Sequence, residues 1–194
     1  MKNTSRSFIF TICILTTLFA QAQNLKRLED NNGFKKYKLG TRYTSVYGMK
    51  NRAADGSDIV SIPYMGEKIA DIPVQNIQLY YLSDTLAKIV VNVSPENSIK
   101  LIEACKGSFG AAMQDLSDNE ASRKLKNTDI KAGKVYVDRY AWKGKKMNLE
   151  YVYLYPVYAG DAYSNKDLHL AFSTNDFSAR LERSKKGKYT AKDF

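Results

Sequence analysis

Cysteine, histidine, proline and tryptophan are all scarce in this chain of 194 residues. It contains two cysteines, one histidine, four prolines and one tryptophan. Cys13 lies in an apolar stretch near the N-terminus, so the rest of the chain has only Cys105 and no internal disulfide. One histidine and one remaining cysteine cannot supply the nitrogen and sulfur ligands of a structural zinc site. We therefore expect no metal or other cofactor.

The shortage of histidine also restricts catalysis. A histidine-based nucleophilic triad would have to use His169, which lies in an alternating strand pattern without a nearby nucleophile elbow. Carboxylate pairs remain possible, and Asp138 with Glu150 is the main candidate. We expect these two acids to point to opposite faces of a hairpin. The sequence therefore favours a protein that is not an enzyme, with a carboxylate-dependent hydrolase of the cell envelope as the alternative.

Long apolar runs are missing after the first 22 residues. Lys2 and Arg6 precede an uncharged, mostly apolar stretch over 7–20, which ends in the small-residue pattern Ala20-Gln21-Ala22. This arrangement is typical of a secretory signal peptide, and we expect cleavage after Ala22. The apolar run is short for a membrane span, although a retained N-terminal anchor is the alternative. The residue directly after the cleavage site is Gln23 and not a cysteine, so we expect no lipid anchor.

The expected mature chain, 23–194, has the size of one domain and belongs in the periplasm or outside the cell. Its single cysteine has two interpretations. Cys105 is either a reactive thiol or a small buried residue, and its position in the predicted helix favours burial.

Positive charge is in excess and lies at both ends. The chain has 30 lysines and arginines against 20 acidic residues, and the surplus is concentrated in 23–52 and 176–194. If the termini lie close together, their side chains form a basic patch that attracts polyanions. The candidate patch residues are Lys35, Lys36, Lys38, Arg42, Arg180, Arg183, Lys185 and Lys186. The leader makes nucleic acid a poor candidate, so the patch predicts an anionic envelope component; a merely solvated surface is the alternative.

The middle of the chain predicts a hairpin followed by a helix. Residues 74–82 and 86–93 are rich in β-branched and aromatic side chains, with turn-forming residues between them. A helix over about 95–109 is indicated by Ser94 as the N-cap, Pro95 in the first turn and Gly110 at the end. Its expected apolar stripe, with Leu101 at the edge, consists of Ile99, Ile102, Cys105 and Phe109.

A second hairpin is predicted over 134–142 and 145–155, joined by Lys143-Gly144. A further strand covers 168–172, and the tail from 176 is polar and basic. This order predicts an α+β fold, in which an antiparallel sheet built from hairpins packs against one main helix.

The second hairpin concentrates aromatic residues on one face. A tight turn would place Trp142 opposite Lys145 and Tyr140 opposite Met147. That face is either an open platform for a sugar or peptide or, as we favour, the core beneath the helix. Because Trp142 and Tyr155 lie at strand ends, we expect them to be the most exposed of these rings.

Four short segments give the chain a resemblance to small secreted bacterial domains that lack an assigned function. They are Lys38-Leu39-Gly40-Thr41, Asp84-Thr85-Leu86-Ala87-Lys88-Ile89, Phe109-Gly110 and Trp142-x-Gly144 with the tyrosine-rich strand after it. The resemblance spans most of 34–175, and it implies the fold order without any catalytic residues. We therefore expect a non-catalytic binding domain for an envelope protein, peptide or anionic glycan.

Overall fold

A computed structural model describes residues 25–53, 55–114, 135–156 and 166–186. The predicted signal peptide and its cleavage site lie outside these residues.

Three helices and eleven strands make up the described part of the chain. The helices are α1 (25–31), α2 (Ser98–Phe109) and α3 (Phe177–Lys186), with 3-10 turns at Ser45–Tyr47 and Pro95–Asn97. The first six strands are β1 (Gly33–Phe34), β2 (Tyr37–Lys38), β3 (Asn51–Arg52), β4 (Asp58–Pro63), β5 (Lys68–Ile69) and β6 (Ile72–Leu82). The others are β7 (Thr85–Val93), β8 (Met113–Gln114), β9 (Val135–Lys143), β10 (Met147–Pro156) and β11 (Asp167–Thr174).

The strands form one large antiparallel sheet in the order β3-β4-β6-β7-β11-β10-β9-β8, and β5 adds a short pairing to β6. Strands β1 and β2 pair separately. The last of the described strands, β11, lies between the hairpins β6–β7 and β10–β9 and joins them. The predicted α+β class, with an antiparallel sheet packed on a helix, is confirmed.

The β6–β7 hairpin closes through a two-residue turn. Ser83 and Asp84 have φ angles of 50° and 59°, and Leu82 pairs with Thr85. Two consecutive positive φ angles match the twist of antiparallel strands. The prediction of a hairpin here is confirmed, with the turn one residue shorter than the sequence indicated.

The β9–β10 hairpin has a register four residues away from the predicted one. Trp142 pairs with Leu149, and Tyr140 with Tyr151. The turn is wider than two residues because distant groups hold its backbone. The Glu29 carboxylate accepts hydrogen bonds from the Lys145 and Lys146 amides, and the Asn175 side chain donates to the Gly144 and Lys145 carbonyls. An even shift keeps each side chain on its predicted face.

Helix α2 covers one face of the sheet. Leu101 and Cys105 are buried against it, whereas Ile99 is 78% exposed, so the predicted apolar stripe is wrong at its first member. The reason is that residues 95–97 form a 3-10 turn and the α-helix begins three residues later than predicted. Both ends of α2 are also tied to the sheet, through the Ser98 and Gly110 carbonyls, which sets the rotation of the helix.

The segment from α1 to β2 covers the same face beside α2. Leu28 is fully buried, and the ring of Phe34 packs on Phe172 with 6.0 Å between centroids. Gly33 has φ +134°, and a Cβ there would lie 2.3 Å from the Tyr37 carbonyl oxygen. The chain therefore enters this tight hairpin through a position that only glycine occupies without strain.

Helix α3 lies on the opposite face, near the end of the β6–β7 hairpin. The Arg180 guanidinium donates to the Leu82 carbonyl oxygen at 3.1 Å, and Lys88 Nζ lies 5.5 Å from the Phe177 ring centroid. The sequence analysis described this stretch as a polar and basic tail and did not predict the helix over 177–186. Among the described helices, none is long and apolar enough to cross a membrane.

Candidate functional site

A cavity of about 330 Å³ opens between α2 and the segment that contains β1 and β2. We call it the α2 pocket. Its remaining walls come from the turn between β5 and β6 and from the core face of β11. The lining residues are Asn31, Gly33, Phe34, Lys35, Lys38, Ile69, Ala70, Ala104, Cys105, Ser108, Phe109, Leu170 and Phe172. This volume is at the lower end of the range for small-molecule sites.

The inner wall of the α2 pocket is apolar. Phe34, Phe109 and Phe172 contribute aromatic surface, and Phe109 and Ile69 are only partly buried by the protein itself. Helix α2 contributes the small side chains Ala104 and Ser108 at this point, which leaves room between helix and hairpin. When a ligand covers partly exposed apolar surface in a concave site, the free energy of the system falls.

Two lysines give the mouth of the pocket a positive charge. Lys35 follows Phe34 in the β1–β2 turn with φ 49°, and its ammonium lies 5.8 Å from the Phe34 ring centroid. Lys38 Nζ donates a hydrogen bond of 2.6 Å to the Asn31 carbonyl oxygen, which holds the ammonium at the rim. No carboxylate is among the described lining residues. The mouth therefore attracts anions.

The thiol of Cys105 forms part of the pocket wall, and burial raises its pKa to about 12. At neutral pH the group is therefore a protonated thiol rather than a nucleophilic thiolate. The prediction that Cys105 is buried is confirmed, since 2% of the residue is exposed. Its chemical contribution to the pocket is that of a small apolar group.

The basic residues expected to form one patch belong to two places. Lys35 and Lys38 line the α2 pocket, and Lys36 lies next to them with its ammonium 5.3 Å from the Tyr37 ring centroid. Arg42 instead forms a β-bridge with Thr85. The hydrogen bond from Lys50 is the main cause that lowers the pKa of Asp84, and the charge of Arg42 adds to it.

Arg180 and Arg183 border a shallow depression beside Leu82 and Ser83, at the same hairpin end as Arg42. Lys185 forms an ion pair of 2.9 Å with Glu182. The side chain of Lys186 lies outside the described residues. Arg42, Arg180 and Arg183 therefore lie near the β6–β7 turn, whereas Lys35 and Lys38 line the α2 pocket.

Trp142 is buried, which makes the expectation of a partly exposed ring wrong. Only 2% of the residue is exposed, and the indole Nε1 donates to the Gly110 carbonyl oxygen at 3.0 Å. The end of α2 covers this end of β9, so a strand terminus does not mean exposure here. The aromatic face is the core beneath the helix, as favoured above. Tyr155 pairs with Tyr136 at the other end of β10, and its side chain lies outside the described residues.

The candidate acids of a hydrolase do not come together. In the observed register Asp138 pairs with Tyr153 and Glu150 with Ala141, which puts the acids on opposite faces as predicted. The Glu150 carboxylate forms an ion pair of 2.8 Å with Arg139.

The single histidine and two acids near β4, Asp55 and Asp58, each contact a neighbouring side chain. Asp55 accepts hydrogen bonds from the backbone and hydroxyl of Ser57, and Asp58 pairs with Arg52 at 2.9 Å. His169 Nδ1 lies 2.8 Å from an Asp167 carboxylate oxygen. Within the described ranges, no group of three or more histidine, cysteine or acidic side chains is placed to hold a metal ion.

Sequence reasoning missed the pocket itself and the surroundings of Lys88. Lys88 lies on the face opposite α2, with its ammonium 5.5 Å from the ring centroids of both Tyr80 and Phe177. Burial is the main cause that lowers its pKa. The sequence signal for this position is a charged lysine inside a mostly apolar strand. The pocket had no local signal, because four separate segments form it.

Comparison of the chain with models of protein families, with curated proteins and with solved structures found no match. The resemblance to small secreted bacterial domains therefore stays a prediction.

Proposed function

We propose that the protein is a secreted or periplasmic, non-catalytic binding domain, and that the α2 pocket holds its ligand. Among the expected partners, an envelope peptide or protein suits this site better than a glycan. The supporting observation is the combination of an apolar wall with Lys35 and Lys38 at the mouth. Sugars stack on flat, open aromatic faces, whereas a concave apolar wall suits an aliphatic or aromatic side chain.

The chemistry of the pocket supports binding rather than catalysis. Its thiol is protonated at neutral pH, and its described lining contains no carboxylate or histidine. Two lysines remain, and both lie at the mouth beside the apolar wall. This arrangement supplies electrostatic attraction without a group positioned to move a proton.

Affinity capture from envelope extract at low salt tests the proposal. Immobilised mature protein should retain a partner that the double variant Lys35→Gln/Lys38→Gln loses. Lys36→Gln is the matched control, because Lys36 lies between these residues in sequence but does not line the pocket. Capture that is equal for all three proteins would place the binding site elsewhere, and no capture at all would contradict a binding function.

Localisation needs its own measurement. We expect the protein in the periplasm or medium of the producing cell, and we expect its mass to match a chain that begins at Gln23. Recovery of the intact chain from the cytoplasm would overturn the secreted part of the proposal.

A further inference from the structure

We propose that the ligand of the α2 pocket is a monocarboxylate with an apolar body, a proposal that rests on the binding function above. The carboxylate lies at the mouth against Lys35 and Lys38, and the apolar part fills the space between Phe34, Phe109 and Phe172. Two sources supply this chemistry: an aliphatic acid, or the C-terminal residue of a peptide with an apolar side chain.

The apolar part of the ligand is inferred from apolar side chains of the pocket wall that the protein itself leaves partly exposed. Phe109 and Ile69 are only partly buried, and both face the cavity. The small side chains of Ala104 and Ser108 leave space on the helix side of the pocket, which suits an unbranched or singly branched hydrocarbon group. A cavity of about 330 Å³ accommodates a short aliphatic chain or one or two side chains, but not a folded segment.

The charge of the ligand follows from the mouth. Lys38 uses one of its three N–H donors on the Asn31 carbonyl oxygen, so two remain for a ligand. Lys35 is exposed, and no acidic side chain among the described lining residues competes for either ammonium. A carboxylate has two oxygens and meets two neighbouring ammonium groups without losing its solvation completely.

A single negative charge suits the pocket better than the double charge of a phosphate. The α2 residues in the lining, Ala104 to Phe109, belong to the C-terminal half of the helix. This end of a helix carries partial negative charge, which opposes a dianion more strongly than a monoanion. The lining residues that the structure describes also include no arginine, whose planar fork is the common partner of phosphate.

Calorimetric titration of the mature protein with five probes tests the proposal. The acids are octanoate and the peptide N-acetyl-Ala-Ala-Leu. Their neutral counterparts are octanamide and the C-terminal amide of the peptide, and octyl phosphate is the dianion. We expect at least one acid to bind about tenfold or more tightly than its own amide, because the amide leaves the ammonium groups unpaired. Which acid binds decides between the two sources.

Variants connect the binding to the pocket. Lys35→Gln/Lys38→Gln should weaken the acid about tenfold and leave the amide unchanged, whereas Lys36→Gln should change neither. Ser108→Leu fills the cavity and should weaken the binding of both the acid and the amide. If Ser108→Leu fails to fold, Ala104→Leu is used in its place. Thermal unfolding of each variant establishes that the fold is retained.

Three results overturn the proposal. If an acid and its amide bind equally, the pocket does not recognise the carboxylate. If octyl phosphate binds more tightly than octanoate, the pocket does not prefer a single negative charge. If no probe binds, the ligand class is wrong. In each case the binding function stands if the wild-type protein captures an envelope partner that the Lys35→Gln/Lys38→Gln variant loses. It is contradicted if the wild-type protein also captures no partner.

Discussion

The ring of Phe109 lies edge-on to the indole of Trp142, with 6.2 Å between their centroids, and Phe109 also lines the α2 pocket. The tryptophan predicted to stay partly exposed therefore supports the pocket from behind. Its Nε1 donor satisfies the Gly110 carbonyl, which follows the last residue of α2. The position of the pocket-lining helix thus depends on a core residue that no ligand touches.

Replacement of Trp142 should destabilise the fold. Trp142→Phe leaves the Gly110 carbonyl without its partner and removes buried volume, so the free energy of unfolding should fall by about 1–3 kcal/mol. Urea unfolding followed by circular dichroism measures the change. Met113→Leu, at a residue that is 59% exposed, is the control and should shift stability by less than about 0.5 kcal/mol. A Trp142→Phe variant as stable as the control would contradict the described packing.

Two glycines should respond to alanine in opposite directions. Gly33→Ala introduces a Cβ 2.3 Å from the Tyr37 carbonyl at φ +134°, and should destabilise the protein by roughly 1–3 kcal/mol or more. Gly107→Ala meets no atom within 4 Å inside α2, and should stabilise it by about 0.5–1 kcal/mol. Thermal melts of both variants measure the difference, and an unaffected Gly33→Ala protein would show that the β1–β2 hairpin is not formed as described.

Cys105 should resist thiol reagents in the folded protein. Burial keeps its pKa near 12, so little thiolate forms at pH 8, and the residue is only 2% exposed. Titration of the mature protein with a chromogenic disulfide should give no fast phase in buffer and one equivalent in concentrated urea. Fast labelling in buffer would contradict the placement of α2 on the sheet.

Stability should decline at alkaline pH because of buried tyrosines. Burial raises the pKa of Tyr81 from 10.0 to about 12, and also raises the pKa of Tyr151. Between pH 10 and 12 the unfolded chain loses these protons while the folded protein keeps them, so the free energy of unfolding falls as pH rises. The fall should be smaller in Tyr81→Phe than in the wild type.

Tyr64→Phe is the matched control for that experiment, because Tyr64 is 58% exposed. Chemical unfolding at several pH values from 8 to 12 gives the comparison. If Tyr81→Phe and Tyr64→Phe follow the same pH profile as the wild type, Tyr81 does not carry the effect.

The sequence predicted the local features of the fold better than their relative positions. Alternation along β9 and β10 assigned Trp142 and Leu149 to one face correctly, because the observed shift of register is even. The register itself depends on Glu29 and Asn175, which are distant in sequence and gave no signal within the hairpin. The helix was predicted in the right place, but its rotation depends on hydrogen bonds to Trp142 and Tyr151.

The candidate site was predicted only in part. Lys35 and Lys38 were recognised by their charge, yet the pocket beside them requires Ile69 and Phe109 from other segments. Helix α3 was missed because its apolar residues, Phe177 and Leu181, are few within a strongly basic stretch. Such a helix gains its stability from docking on the sheet rather than from its own pattern.

The position of β11 in the sheet has a consequence for the order of folding. The β6–β7 and β9–β10 hairpins each join two strands that follow one another in the described part of the chain, whereas β11, the last of the described strands, pairs with both hairpins. In a nascent chain the two hairpins therefore stay separate half-sheets with open edges until residues 167–174 have been synthesised.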